Sequence, residues 1–307
     1  MKAILIGAVE STRIALECLA KAPEWDLSAV LTLPPELDAR HSDFVDLGPE
    51  AASAGAQLVH VSNINSEDAL ASISAIAPDY IFVIGWSQLC GPRFMSSARQ
   101  AVIGYHPAPL PRLRGRGVIP WTILLEEPIT ASTLFRIDEG TDSGPILAQR
   151  FFHVAPDETA ASLYANHMGA LRTMMPAMLH DLAQGTAIET VQDERHATFA
   201  ARRRPEDGRI DWSEAAKDIW RVVRACGDPY PGAWTFLGSD RIVISTAHLV
   251  PLSQHRAAIQ GQVVERTADS FTVKCGDDEG LRVSQWRRTK DGPPPLHAIL
   301  GQKDAMP

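Results

Sequence analysis

Residues 102–121, VIGYHPAPLPRLRGRGVIPW, hold four prolines and three glycines in twenty positions, and no other stretch limits the possible fold as tightly. Proline has no amide hydrogen and a nearly fixed φ, so the run cannot continue as a regular helix or a central strand. Beyond Tyr105 it has to be a shaped loop. The residues leading into it are apolar, as at the end of a buried strand, and His106 stands where that strand stops.

The chain upstream supplies the rest of such a sheet. Residues 2–7 (KAILIG) read as a short buried strand closing on a glycine, and residues 11–22 then carry apolar side chains at helical spacing. Apolar runs at 27–33, 58–61 and 80–84 follow, with a helical stretch at 66–77. This alternation predicts an α/β fold, a Rossmann-like parallel sheet with helices on both faces, whose ligands bind beyond the carboxyl ends of strands. The ends near Gly7, Gly85 and Tyr105 are the places to look. The first turn, GAVES at 7–11, has one glycine where the dinucleotide fingerprint GxGxxG has three, which disfavours a nicotinamide cofactor there.

A long helical pattern over 158–183, with Gly185 just past it, closes the first domain. After the arginine-containing connector 201–208 come a short helical pattern at 213–225 and β-like runs at 242–245, 258–265 and 270–275. These predict a small C-terminal β-barrel of OB-like type. The division falls near Arg204, giving domains 1–203 and 204–307.

Charge and cysteine usage narrow the function classes. A formal net charge of -8 describes an acidic surface that disfavours a broad footprint for nucleic acid or an anionic membrane, and favours a small-molecule partner. Cys18, Cys90, Cys226 and Cys275 form no CxxC or Cys/His cluster of the zinc-holding kind, so they read as reduced core thiols and no metal is expected. No leader-like opening and no apolar run of about 18 residues is present, which points to a cytoplasmic protein. The sequence leaves the oligomeric state open, a homodimer included.

A second loop, RIDEGTDSG at 136–144, follows the apolar run 132–135 and offers Asp138, Glu139 and Asp142 among small residues. Histidine is the side chain best suited to move a proton near neutral pH, and an adjacent carboxylate fixes its tautomer and stabilises its charged form. His106 and Asp142 are candidates for such a pair. Taken alone, the residues favour the plainer reading, a histidine satisfied in a turn and an aspartate capping a loop.

HPAPLPRLRGRG together with DEGTDSG, placing His106 and Asp142 36 positions apart, resembles the folate-dependent formyltransferase family, which includes methionyl-tRNA and sugar-nucleotide N-formyltransferases. The likeness starts at GWSQL (85–89) and extends into RIDWSEAAKDIWRVVRACGDPYPGAW (209–234), which looks like the start of the family's C-terminal barrel. The resemblance implies a formyltransferase catalytic domain over 1–203 and 10-formyltetrahydrofolate as formyl donor. It implies His106 as the proton carrier and Asp142 as its supporting carboxylate. It also implies folate contacts at Gln88, Leu89, Cys90, Arg116, Asp138, Glu139, Gly140, Thr141 and Asp142.

One departure stands out. Where the family carries an asparagine two positions before the histidine, as a donor to the developing oxyanion, this chain has Gly104. Losing such a donor costs about 10²–10³ in rate. The expectation is an open space beside a hydrogen-bonded His106–Asp142 unit, with a backbone N–H near Tyr105–His106 or a water serving instead.

The resemblance also bears on the acceptor. The tRNA-formylating members have basic surfaces suited to phosphate. Here the segment 34–50 is acidic, and residues 209–307 hold 13 Lys/Arg against 12 Asp/Glu. RGRGVIPW looks more like the sugar-nucleotide branch, so the expected partner is a small-molecule amine, the amino group of a nucleotide-linked amino sugar. Arg112, Arg114 and Arg116 then face phosphates or the folate tail, or are simply solvated. The alternatives are a formyltransferase acting on methionyl-tRNA or another small amine, and a catalytically weak folate-binding member, which Gly104 keeps open.

Overall fold

The computed structural model describes residues 1–40, 42–255 and 257–301. By contact the chain forms two compact units, one of residues 1–118, 128–154 and 164–201, the other of residues 119–127, 155–163 and the chain from Arg202 onward.

The first unit is organised by β1 (Lys2–Ile6), α1 (Glu10–Lys21), β2 (Asp26–Thr32), α2 (Gly48–Ser53), β3 (Gln57–His60), α3 (Glu67–Ile76), β4 (Tyr80–Val83), α4 (Pro92–Met95) and β5 (Ala101–His106). There follow β6 (Arg114–Gly115), β7 (Ile129–Arg136), β8 (Ile146–His153), α6 (Ala160–Gln184), which belongs to this unit from Tyr164 on, and β9 (Phe199–Ala200), while α5 (Val118–Leu124) belongs to the second unit after its first residue. Seven strands make one sheet in the order β3-β2-β1-β4-β5-β7-β8, and the pairings from β3 to β5 are parallel.

The sheet is not parallel throughout, as the alternation had suggested. β7 runs antiparallel to β5, and β8 antiparallel to β7. A parallel return needs a crossover of a dozen residues or more, whereas the loop at 137–145 is too short for one and closes a hairpin. β8 is the sheet edge, mostly half-buried or exposed, so no buried-face alternation marks it in the sequence.

Successive strand side chains point to opposite faces, and the buried β1 divides its apolar residues between two cores. Ala3 and Leu5 join a cluster completed by Ile14, Leu16 and Leu19 of α1 and Leu171, Met175 and Leu179 of α6. Ile4 and Ile6 join the opposite cluster, covered by Leu70 and Ile73 of α3 and Phe94 of α4. His106 and Gly104 are two residues apart on β5 and so share a face; Tyr105 takes the other.

The second unit contains α7 (Ala216–Cys226), β10 (Ala233–Leu237), β11 (Asp240–Pro251), β12 (Val263–Arg266), β13 (Phe271–Lys274) and β14 (Glu279–Arg287). The strands form an antiparallel sheet, β10-β11-β14-β13-β12, around Ile242, Ile244, Phe271, Val273, Leu281 and Val283, with Ile219 and Val223 of α7 in the same core. Its edge strands do not pair with each other, but the chain after β14 closes the gap. Val263 N donates to Ala298 O (2.8 Å) on the β12 side, and Gly301 N donates to Phe236 O (2.8 Å) on β10. The result is a partly open barrel.

Among the described residues no helix is long and apolar enough to cross a membrane.

One buried polar cluster sits behind β5. Tyr105 Oη lies 3.0 Å from Ser132 Oγ and donates to His167 O (3.2 Å), and Ser132 Oγ lies 2.8 Å from His167 Nδ1. His167 is fully buried, and among the described residues its Nε2 has no hydrogen-bond partner. Burial, with a smaller contribution from His106, pushes the imidazole down to about 3. It is therefore neutral in the fold, while the unfolded chain protonates it near the ordinary value of about 6.5. Stability from this group is complete above about pH 6.5 and falls as pH drops toward 3, by up to about 1.4 kcal/mol per pH unit. Urea midpoints across that range should decline in the native protein and decline less steeply in His167→Asn.

Candidate active site

The loop that begins at His106 is held by its own backbone and by the segment 190–200. Leu113 N donates to Thr198 Oγ1 (2.9 Å), Arg114 N to Thr198 O (2.9 Å), and β6 pairs with β9. Ala108, Leu113 and Val118 pack beneath it with Ala200. A proline-rich loop is thus given a fixed shape by partners some eighty residues along the chain.

His106 is 6% exposed at the end of β5, and its Nε2 lies 2.7 Å from Leu113 O. A carbonyl can only accept, so Nε2 carries a hydrogen and the other ring nitrogen is the one that can exchange a proton. That nitrogen, Nδ1, lies 3.7 Å from Asp142 Oδ2. The two side chains meet, but not as the hydrogen-bonded unit expected: 3.7 Å is too long for a hydrogen bond. The carboxylate's hydrogen bond goes instead to Gly115 N (2.8 Å). Each member of the pair is therefore held by the stretch 113–115.

Asp142 has φ of +50°, a left-handed conformation that side chains other than glycine, asparagine and aspartate seldom adopt. Gln192 supports it, donating from Nε2 to Asp142 O (2.8 Å) and Gly144 O (2.7 Å). Gln192 Oε1 in turn accepts from Arg114 Nε (3.2 Å) and Nη2 (2.8 Å), and Arg114 also pairs with Glu194 Oε1 (2.6 Å). That bond holds the Glu194 carboxyl below the usual carboxylate range. Arg114, 2% exposed, is neither solvated nor turned toward a ligand, unlike the reading its sequence position invited. Arg112 and Arg116 are exposed.

The space expected beside Gly104 is filled. A Cβ built there would lie 2.9 Å from Cε1 and Cζ of Phe135 and 3.0 Å from Ile137 Cγ1. Phe135 is Gly104's cross-strand partner, 4% exposed, so its ring takes the volume a side chain at 104 would need. Glycine here makes room for an aromatic ring.

The remaining candidates fall into two loops. Gln88 spends its amide on the neighbouring backbone, donating to Ser62 O (2.6 Å) and accepting from Ile64 N (3.2 Å). Asn65 pins the following turn through Leu89 O (2.9 Å) and Gly91 N (2.7 Å), leaving the Leu89 side chain 79% exposed. Burial pushes the Cys90 thiol up to about 12, so it stays protonated. In the second loop Asp138 Oδ1 accepts from Gly140 N (3.1 Å) and Ser143 Oγ (2.7 Å), while Glu139, Gly140 and Thr141 face solvent. Trp86, Cys90 and Ile137 all pack on the same apolar cluster, so both loops rise from the sheet face that carries His106.

The turn after β1 is closed by protein. A Cβ on Gly7 would lie 1.9 Å from Ile84 O, which accepts from Thr12 Oγ1 (2.7 Å), and Ala8 N donates to Gly85 O (3.3 Å).

Residues 20–179 match the family model Formyl transferase, and residues 202–299 match Formyl transferase, C-terminal domain. The chain is 31% identical over 290 residues to a methionyl-tRNA formyltransferase of Acidobacterium capsulatum, covering 93% of this chain and 91% of that protein. Its fold is similar to that of HypX from Aquifex aeolicus in complex with tetrahydrofolic acid (TM-score 0.66, 19% identity), over 94% of this chain but 44% of that longer one. It is also similar to WlaRD, a sugar 3N-formyl transferase solved with dTDP and 5-N-formyl-THF (TM-score 0.67, 16% identity, 95% and 98% of the two chains). The chain belongs to the formyl transferase family. It is an N-formyltransferase, and its fold brings His106 and Asp142 of the two sequence motifs within 3.7 Å of each other.

Gly104, Phe135 and Gln192 were not legible as a set, and they generate a test. Gly104→Asn should cost about 1–3 kcal/mol of stability because the new side chain must displace the Phe135 ring. Combined with Phe135→Ala, the loss should fall short of the sum of the two single losses by about 0.5 kcal/mol or more, measured by urea denaturation.

Proposed function

We propose that this enzyme transfers the formyl group of 10-formyltetrahydrofolate to the amine of a nucleotide-linked amino sugar, with His106 and Asp142 handling the proton. The observation that carries the reading is the 3.7 Å approach of His106 Nδ1 to Asp142 Oδ2 in a formyl transferase chain. In the reaction the amine nitrogen bonds to the formyl carbon, the bond from that carbon to the donor nitrogen breaks, and one proton passes from the first nitrogen to the second. His106 takes and returns that proton at Nδ1, because Nε2 is committed to Leu113 O. Asp142 stabilises the imidazolium formed in passing. The two nitrogens that must exchange a proton never need to meet.

The carrier fits the loops around the pair. Leu89 offers an apolar side chain on a turn pinned by Asn65 and Gln88, and Glu139–Thr141 offers exposed backbone; together they suit a flat ring with polar edges. Arg116 stands exposed on the His106 loop for an acidic tail. Folates bound in the solved relatives support the same reading.

The acceptor reading rests on charge. The cations of the second unit are largely committed within it: Arg288 with Asp240, Arg282 with Glu265, Lys217 and Arg221 with Glu126, and Arg241 over the Trp234 ring. A surface built this way supplies few phosphate contacts for an RNA backbone. The 31% identity to a methionyl-tRNA formyltransferase favours a second reading, initiator tRNA as acceptor. Mass spectrometry decides between them: a dTDP-linked 3-amino sugar should gain a formyl group at a rate well above that for methionyl-tRNA, and the reverse order would replace the first reading with the second.

His106→Ala and Asp142→Asn should each lower turnover by about 10²-fold or more, within the range general acid–base catalysis supplies. Residues acting in one step lose non-additively, so the double variant should be little slower than the slower single one.

A further inference from the structure

Gln192 uses every hydrogen-bonding position of its amide, and the chemistry of its neighbours fixes which way it points. Arg114 has donors only, so Oε1 must face the guanidinium and Nε2 must face the two carbonyls, Asp142 O and Gly144 O. Both residues are buried, Arg114 at 2% and Gln192 at 5% exposure. The carbonyls belong to the turn in which Asp142 takes its left-handed backbone, and Gly144 is pressed so closely on Arg136 O that a Cβ would stand 1.8 Å away. Three adjacent residues thereby hold the pair: Leu113 O holds His106, Gly115 N holds the Asp142 carboxylate, and the Arg114 side chain holds the residue that holds the Asp142 backbone.

We propose that Gln192, locked in orientation by Arg114, is a positioning residue that sets the Asp142 carboxylate beside His106. The proposal rests on the catalytic reading of the His106–Asp142 pair. Because Asp142 and His106 share no direct hydrogen bond, their separation depends on how the 142–144 backbone is tethered, and Gln192 supplies two bonds of that tether. A glutamate at 192 would keep the Arg114 contact and set a carboxylate against two carbonyls.

Gln192→Glu is therefore the informative variant, with Asp142→Ala as reference. The Gly115 amide, bonded to Asp142 Oδ2, reports carboxylate position through its hydrogen-exchange rate by NMR and needs no acceptor substrate. Exchange should quicken at least tenfold in Gln192→Glu, approaching Asp142→Ala. With 10-formyltetrahydrofolate and the dTDP-linked 3-amino sugar, kcat should fall tenfold or more while KM for the folate changes less than twofold. A Gly115 amide as protected as in the native enzyme, or a loss confined to KM, overturns the proposal. Should Gln192→Glu not fold, Glu194→Ala, which removes Arg114's partner at a 67% exposed side chain, is judged by the same amide with a threefold acceleration expected. Full turnover by Asp142→Ala would sink the catalytic reading of the pair, and the amide measurement would still decide the role of Gln192.

Discussion

Strand β5 has to satisfy two different neighbours, a parallel β4 on one side and an antiparallel β7 on the other, and the rest of the first unit follows from how it does so. Gly104 sits at the centre of that compromise, opposite Val83 on one side and Phe135 on the other. With no side chain there, the Phe135 ring can pack close against the strand and the β7–β8 hairpin can close on the sheet. His106 then emerges two residues later on the same face, at the strand's end. The change of direction also matters for chemistry, since it sends the loop after β7 back over that face, carrying Asp142 with it.

The pair is assembled through third parties. A histidine and a carboxylate in direct contact would hold each other, and would also spend on one another the bonds that fix their orientation. Here each is oriented by the loop at 113–115, and what remains between them is a 3.7 Å approach without a hydrogen bond. The buried Arg114 charge is tolerable because Glu194 and Gln192 together satisfy it, and removing such a partner from a buried charge is far more costly than removing a surface ion pair.

Some of this was plain in the sequence. The apolar runs of β1, β2 and β4 and the helical spacing of α1, α3 and α6 follow directly from burial on two faces or one. His106 could be placed at a strand end because proline forces the chain out of the strand immediately after it. β8 was invisible because an edge strand such as ILAQRFFH buries too little to alternate. Arg114 could not be told from Arg112 and Arg116, since three arginines in one loop differ only in what lies behind them. Gln192 lies in TVQDERHATF, a polar stretch that reads as solvated linker, and its partners are about fifty and eighty residues away. Gly104 announced a missing amide; that an aromatic ring stood in the gap depended on strand register, which composition does not encode.

The sealed turn after β1 has its own consequence. Open sheets of this order offer a natural crevice where strand order reverses, between β1 and β4. In this chain Gly7, Thr12 and Gly85 pack tightly there, and the proposed reacting pair stands one strand over, beside the end of β5. Packing and reactivity are thereby given separate addresses. Random substitutions reaching the β1 turn will be screened by whether the protein survives heat, and those reaching the β5 end by whether it turns over. Two strand ends of a single sheet, with only β4 between them, are thus free to diverge under different selection.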